Sequence, residues 1–263
     1  NAVAGVINST AFIKGPDVRL FEEELQRYLG VRHVISCANG TDALQIAMMA
    51  LGLKPGDEVI TTNFTFIATV EVIELLGLKT VLVEPDPGTF NISIDAIRKA
   101  ITPRTRAIVP VHLFGQCADM EPIQILAREH SLHIIEDVAQ ATGAVYRFSD
   151  GTEKKAGTMG TIGCTSFFPS KNLGCYGDGG ALFTDDDNLA ALLRSITNHG
   201  MKVRYYHDTI GVNSRLDTIQ AAILRVKLRH LDGFNEARGK AAAFYDRELS
   251  GLPGIIIPER SPF

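Results

Sequence analysis

Between residues 33 and 137, short apolar runs alternate with longer stretches whose apolar residues recur at helical spacing. His33-Val34-Ile35-Ser36-Cys37, Glu58-Val59-Ile60-Thr61, Thr80 to Val83, Arg106 to Val111 and Leu132 to Asp137 read as strands. Residues 43–51, 64–76, 93–101 and 120–130 read as helices. Such alternation predicts an α/β chain with a mostly parallel central sheet flanked by helices. Ligands of these sheets bind beyond the carboxyl ends of the strands, so the residues that follow each strand are the candidates for function.

After the first strand, Ala38-Asn39-Gly40-Thr41-Asp42 turns into a helix. Its free N–H groups and positive dipole end suit a phosphate near Gly40 and Thr41, although Thr41 would serve equally as a helix cap. Phe64 and Phe66 stand at the next strand-to-helix junction. Aromatic rings there are usually core, but at the mouth of a sheet one could stack on a planar cofactor. At the end of the fifth strand, Glu136 and Asp137 point to opposite faces. Asp137 with Gln140 could address one ligand, or could cap the following turn.

Thr165-Ser166-Phe167-Phe168-Pro169-Ser170-Lys171-Asn172-Leu173-Gly174 follows, with Tyr176-Gly177-Asp178-Gly179-Gly180 behind it. Strands at 162–168 and 181–183 bracket this stretch. Pro169 cannot donate into a sheet, and the glycines supply conformations that other residues reach only with strain. The loop therefore holds an amine, with the Ser166 hydroxyl at the end of the preceding strand. A lysine that forms a covalent bond beside a cofactor phosphate needs this layout, whereas an isolated lysine in a polar turn is more often only solvated.

Composition narrows the class. With 263 residues, 45% of them hydrophobic, the chain can build one large core or one domain and part of another. A net charge of −4 with both signs interspersed provides no basic stripe for nucleic acid. Cys37, Cys117, Cys164 and Cys175 lack C-x-x-C spacing and histidines at metal-ligand separation, so they read as reduced thiols and no metal is expected. Without a leader or an apolar run of membrane-spanning length, a cytoplasmic location is expected. Gly157, Gly160 and Gly163 lack the strand and helix that would make them a dinucleotide fingerprint. A helix follows from Asp187 to about Asn198. Gly211 to Asp217 leads into another whose Ile219, Ile223, Val226 and Leu231 would share one face, and 235–249 reads as a further long helix. The first residue is Asn1 and the last Phe263, so a fragment is expected.

Five ordered motifs carry a resemblance: Phe12-Ile13-Lys14-Gly15-Pro16, Asn39 to Leu44, Ile135 to Gln140, Ser166 to Lys171, and Gly211-Val212-Asn213-Ser214-Arg215. Together they resemble the DegT/DnrJ/EryC1/StrS family of pyridoxal-phosphate-dependent sugar aminotransferases, within the fold-type I enzymes. The resemblance implies a large cofactor-binding domain over 1–234, then an interdomain helix and the start of a truncated small C-terminal domain over 235–263. It implies that Lys171 carries pyridoxal 5'-phosphate covalently, with Gly40, Thr41 and Ser166 at the phosphate. Asn213 would reach across from the partner of a homodimer. Asp137 would face the pyridine nitrogen, Gln140 would lie near the ring oxygen, and Phe66 would stack on the ring. Lysine rather than histidine at 171 argues for transamination over the family's dehydratases. The implied reaction passes nitrogen from glutamate to a nucleotide-linked keto sugar for surface polysaccharide synthesis. A non-catalytic regulatory protein that binds the cofactor is the alternative. The 36–42 and 165–180 stretches most resemble UDP-2-acetamido-2-deoxy-3-oxo-glucuronate aminotransferases, and Arg204, His207 and Arg215 form a cationic set suited to such an anionic sugar. Enzymes for 3- or 4-keto-6-deoxy sugars share much of the pattern.

Overall fold

The computed structural model describes residues 1–263. In chain order its elements are α1 (Ala2–Ser9), α2 (Pro16–Leu29), β1 (His33–Cys37), α3 (Gly40–Ala50), β2 (Glu58–Thr62), α4 (Ala68–Leu75), β3 (Lys79–Val83), α5 (Ile94–Ala100), β4 (Thr105–Val109) and α6 (Met120–Glu129). There follow β5 (His133–Asp137), β6 (Val145–Arg147), β7 (Glu153–Lys155), β8 (Ile162–Ser166), β9 (Gly180–Thr184), α7 (Asp187–Ile196), β10 (Met201–Val203), β11 (Tyr206–His207), α8 (Thr218–Leu228) and α9 (Leu231–Leu249).

Seven strands form one sheet in the order β1-β9-β8-β5-β4-β2-β3. The pairs from β8 through β3 are parallel, and only β9 runs against its neighbours β1 and β8. Both faces are covered. On one, Ile35, Val59, Val109, Ile135, Ile162 and Leu182 pack against α3, α4 and α7; on the other, Ile60, Ile108 and Ile134 pack against α5 and α6. Burial on two faces explains why these strands read as continuous apolar runs. A third cluster joins α2 and α8, where Phe21 meets Phe167 edge-on at 5.3 Å. No helix is long and apolar enough to cross a membrane. The four cysteines are free and buried.

Three expectations need correction. The helix expected from Phe64 begins only at Ala68, because Phe64 N–H bonds Thr62 Oγ1 (3.2 Å) and the chain turns before the helical ladder starts. The face expected from Ile219, Ile223, Val226 and Leu231 is instead Ala221, Ala222, Ile223, Leu224 and Leu228. Small residues there let α8 pack against both α1 and α2, while Val226 is 48% exposed and Leu231 opens α9. Thr41 does not cap α3, since Asn39 Oδ1 takes that place by accepting from Asp42 N–H at 2.8 Å. Beyond α9 the chain turns back: Glu259 N–H donates to Gly88 O (2.7 Å), and Phe263 lies 4.8 Å from the Tyr146 ring.

Candidate active site

A cavity of about 630 Å³ opens at the carboxyl ends of the parallel strands and is lined by Gly40, Thr41, Phe66, Thr69, Asp137, Gln140, Ser166 and Lys171 among others. These residues arrive on several different elements. Gly40 and Thr41 open α3, and their N–H groups precede the first intrahelical bond. A Cβ on Gly40 would stand 2.6 Å from Ser166 Cβ, so only glycine lets the end of β8 come up to the helix N-terminus. There the Ser166 hydroxyl and the free N–H groups can share one anion.

The lysine loop is held at several points. Phe167 N–H donates to Gly179 O (2.7 Å), Cys175 N–H to Phe167 O (2.8 Å), and Lys171 N–H to Phe168 O (2.8 Å). Gly174 passes so close to Phe168 O that a Cβ would lie 2.8 Å away. Gln220 and Lys227 of α8 bond Tyr176 N–H and Gly174 O, which fixes the loop from outside. Asn172 Nδ2 donates to Thr142 O (2.6 Å) and to Asn235 Oδ1 (2.9 Å).

Asp137 and Glu136 have separate work. Asp137 is buried, and its carboxylate accepts from Thr69 Oγ1 (2.9 Å) and Ala139 N–H (3.1 Å). Burial pushes its pKa up, against the pull of those two bonds and of the nearby positive charge on Lys171. It forms no ion pair within the protein, so the site favours a cationic partner. Glu136, on the opposite face, accepts from His112 Nε2 (2.9 Å) and from the N–H groups of Gly157 (2.8 Å), Met159 (2.7 Å) and Gly160 (2.5 Å). His112 Nδ1 accepts from Ala118 N–H, which leaves Nε2–H as the donor to Glu136. Glu136 therefore ties β5 to the segment before β8. Glu136→Leu should destabilise the fold by about 3 kcal/mol or more, because it strands buried donors. Chemical denaturation measures this, and a loss under about 1 kcal/mol would remove Glu136 from that role.

Of the remaining candidates, Gln140 and Phe66 reach the cavity and the others do not. Gln140 lines the cavity, with Oε1 accepting from Phe114 N–H (2.6 Å), and the Phe66 ring is exposed at the rim. Arg204 and His207 belong to the exposed β10–β11 hairpin. Asn213 Oδ1 accepts from Arg215 Nε (3.0 Å), and neither residue lines this cavity. Between them, Ser214 Oγ donates to Asp42 Oδ2 (2.6 Å) and accepts from Ala38 N–H, which pins the 213–215 segment to the start of α3. Thr69, Asn172, Asn235 and Ser214 escaped the sequence reading. Only Ser214 and Asn172 lay beside motifs that could have flagged them.

Residues 1–262 match the DegT/DnrJ/EryC1/StrS aminotransferase family. The chain belongs to that family. It is 52% identical over 253 residues, 96% of its length and 69% of the relative's, to a UDP-2-acetamido-2-deoxy-3-oxo-D-glucuronate aminotransferase of Pseudomonas aeruginosa. It is 50% identical over 252 residues, 96% of its length and 66% of the relative's, to a pleiotropic regulatory protein of Geobacillus stearothermophilus. The solved structure of S. venezuelae DesV in complex with a ketimine intermediate superposes with a TM-score of 0.94 at 46% identity, covering 99% of this chain and 69% of that one. The chain thus spans about two thirds of the length of these relatives.

Aminotransferases of this family work with pyridoxal 5'-phosphate. The residues present fit that cofactor. An anion cradle that only glycine permits at position 40, a buried carboxylate without a cationic partner and a tethered amine all face one cavity. A molecule carrying a phosphate, a protonatable ring nitrogen and a carbonyl would match all three.

Proposed function

We propose that this chain forms the large cofactor-binding part of a homodimeric aminotransferase that moves nitrogen from glutamate to a nucleotide-linked keto sugar. The convergence of Lys171, Asp137, Ser166 and the α3 N-terminus on one cavity carries this reading. Gly40, Thr41 and Ser166 would hold the cofactor's phosphate, and Phe66 would cover its ring. Asp137 would hold a proton at the ring nitrogen, and Gln140 would serve the ring oxygen. The bound cofactor supplies an electron sink for the carbon that gives up or receives nitrogen. Lys171 Nζ is the covalent anchor at rest. With substrate bound, the Lys171 amine would take a proton from the substrate carbon as general base and return one as general acid. The tethers of the lysine loop keep Nζ within reach for both transfers. Residues 1–234 carry this machinery, and 235–263 lead toward a smaller domain.

A 3-keto uronate is the favoured acceptor. The P. aeruginosa relative's substrate supports it, together with Arg204, His207 and Arg215, which would reach the partner's cavity alongside Asn213. A keto-6-deoxy sugar is the runner-up. Arg215→Lys should reduce turnover of the uronate by about tenfold more than that of a 6-deoxy keto sugar, because lysine loses bidentate recognition of the carboxylate. Equal losses would rule out the uronate assignment.

Sharing between subunits is tested by mixing. Lys171→Ala and Asn213→Ala subunits should each be nearly inactive alone, whereas hybrids regain a fraction of activity because one of their pockets carries neither lesion. No recovery after demonstrated subunit exchange would count against Asn213 acting across the interface.

A further inference from the structure

A second cavity, about 530 Å³, lies against α9 and shares Gln140, Ser170 and Lys171 with the first. Lys171 therefore borders both spaces. On the α9 side the lining comes from Asn235, Arg238, Gly239 and Ala242, one helical stripe at i, i+3, i+4 and i+7. Gly239 has no side chain to fill the space, and a Cβ there would meet nothing within 4 Å. The opposite wall includes Gly115 and Gly143, which adopt φ of +94° and +89°.

The charge of this cavity is one-sided. Lys171 and Arg238 line it, and no aspartate or glutamate does. The contrast with the cavity of about 330 Å³ near α2 is informative, because there Lys14, Arg19, Arg194 and Arg215 share the wall with Glu22, which pairs with Arg194 at 3.0 Å. Arg238 forms no ion pair, although Glu236 and Asp232 lie on the same helix, the first paired with Lys240 and the second bonded to Tyr28. One turn before Arg238, Asn235 Oδ1 accepts from Asn172 Nδ2 (2.9 Å), and its Nδ2 donates to Thr142 O (3.1 Å). This clamp sets the register of α9 against the residue that follows Lys171. Arg238 thereby lines the cavity from a fixed stretch of backbone.

We infer that the α9-side cavity is a carboxylate subsite, with Arg238 binding a substrate carboxylate while that substrate reacts at Lys171. This rests on the proposed aminotransferase reading and deepens it. A guanidinium fork binds a carboxylate through two parallel hydrogen bonds. Two sources could bring that group: a dicarboxylic amino donor or a uronate acceptor.

The test uses holoenzyme carrying Arg238→Gln or Arg238→Lys. Arg238 is exposed and has no bonded partner, so both variants should fold. Calorimetric binding is measured with glutarate, which has no amine to react, with UDP-glucuronate and with UDP-glucose, and KM and kcat are measured for each half-reaction. Arg238→Gln should weaken one carboxylate probe by about tenfold or more, with KM rising by the same factor and kcat changing little. Arg238→Lys should restore part of the loss, and UDP-glucose should be unaffected. A loss confined to glutarate assigns the subsite to the donor, and one confined to UDP-glucuronate to the acceptor. Carboxylate probes and KM values unchanged within about twofold would overturn the subsite, as would an equal loss for UDP-glucose. Failure of the aminotransferase reading itself would be seen separately, as absence of covalent cofactor on Lys171 in the unsubstituted protein.

Discussion

Lys171→Ala should abolish the borohydride-reducible bond between protein and cofactor and lower transamination by about 10⁴-fold or more, since one side chain supplies both covalent anchor and proton shuttle. The loop geometry limits the alternatives. Lys154 and Lys155 lie on the β6–β7 hairpin, and neither lines the central cavity. The loop's own bonds are chiefly between backbone atoms and do not use the Lys171 side chain, so the variant should fold normally and still hold cofactor without a covalent bond. Reduction followed by peptide mapping of the unsubstituted protein should place the pyridoxyl group on Lys171. A label on any other lysine would contradict the assignment.

Asp137→Asn should have opposite effects on the empty and loaded protein. Burial holds the Asp137 proton more tightly in the folded chain than in the unfolded one. Ionising it therefore costs stability. The cost is absent well below the ordinary carboxylate value of about 4, grows as pH rises through the raised folded value and is full beyond it. Asparagine resembles the neutral form, so without cofactor the variant should melt above the unsubstituted protein at neutral pH, roughly 2–4 °C for each kcal/mol removed. The gap should close as pH falls toward 4. With cofactor the order reverses, because asparagine cannot hold the ring proton by charge, and turnover should drop by about 100-fold or more. Thermal melts across pH, with and without cofactor, read both effects. Cofactor-free melting curves that stay parallel at every pH would show that the buried charge costs nothing.

The central sheet was readable because doubly covered strands carry uninterrupted apolar runs, and His33 to Cys37 was legible to the residue. The β6–β7 and β10–β11 hairpins were not, since strands of two or three residues are too short to show periodicity. The start of α4 was obscured because Phe64, Phe66 and Ile67 look like the face of a helix but belong to a turn at the cavity rim. In the site, alternation could say that Glu136 and Asp137 face opposite ways but not which one meets the ligand. That depended on Thr69, 68 residues away, and on His112, neither of which marks itself in the sequence. The Asn172–Asn235 bond spans 63 residues and was equally invisible. Strand ends and the glycine-bounded loop singled out Asp137 and Lys171, the resemblance gave them expected roles, and burial and bonding partners show how the fold holds them.

One single-turnover experiment decides between an enzyme and a regulatory protein that only binds cofactor; the Geobacillus relative is named a pleiotropic regulatory protein. Cofactor-loaded protein is mixed with glutamate bearing labelled nitrogen, freed of excess donor and then given a 3-keto uronate linked to UDP. The account predicts 2-oxoglutarate equal to the active sites present in the first step, and labelled nitrogen on the sugar in the second. Absence of 2-oxoglutarate, with Lys171 shown to carry the cofactor, would contradict it.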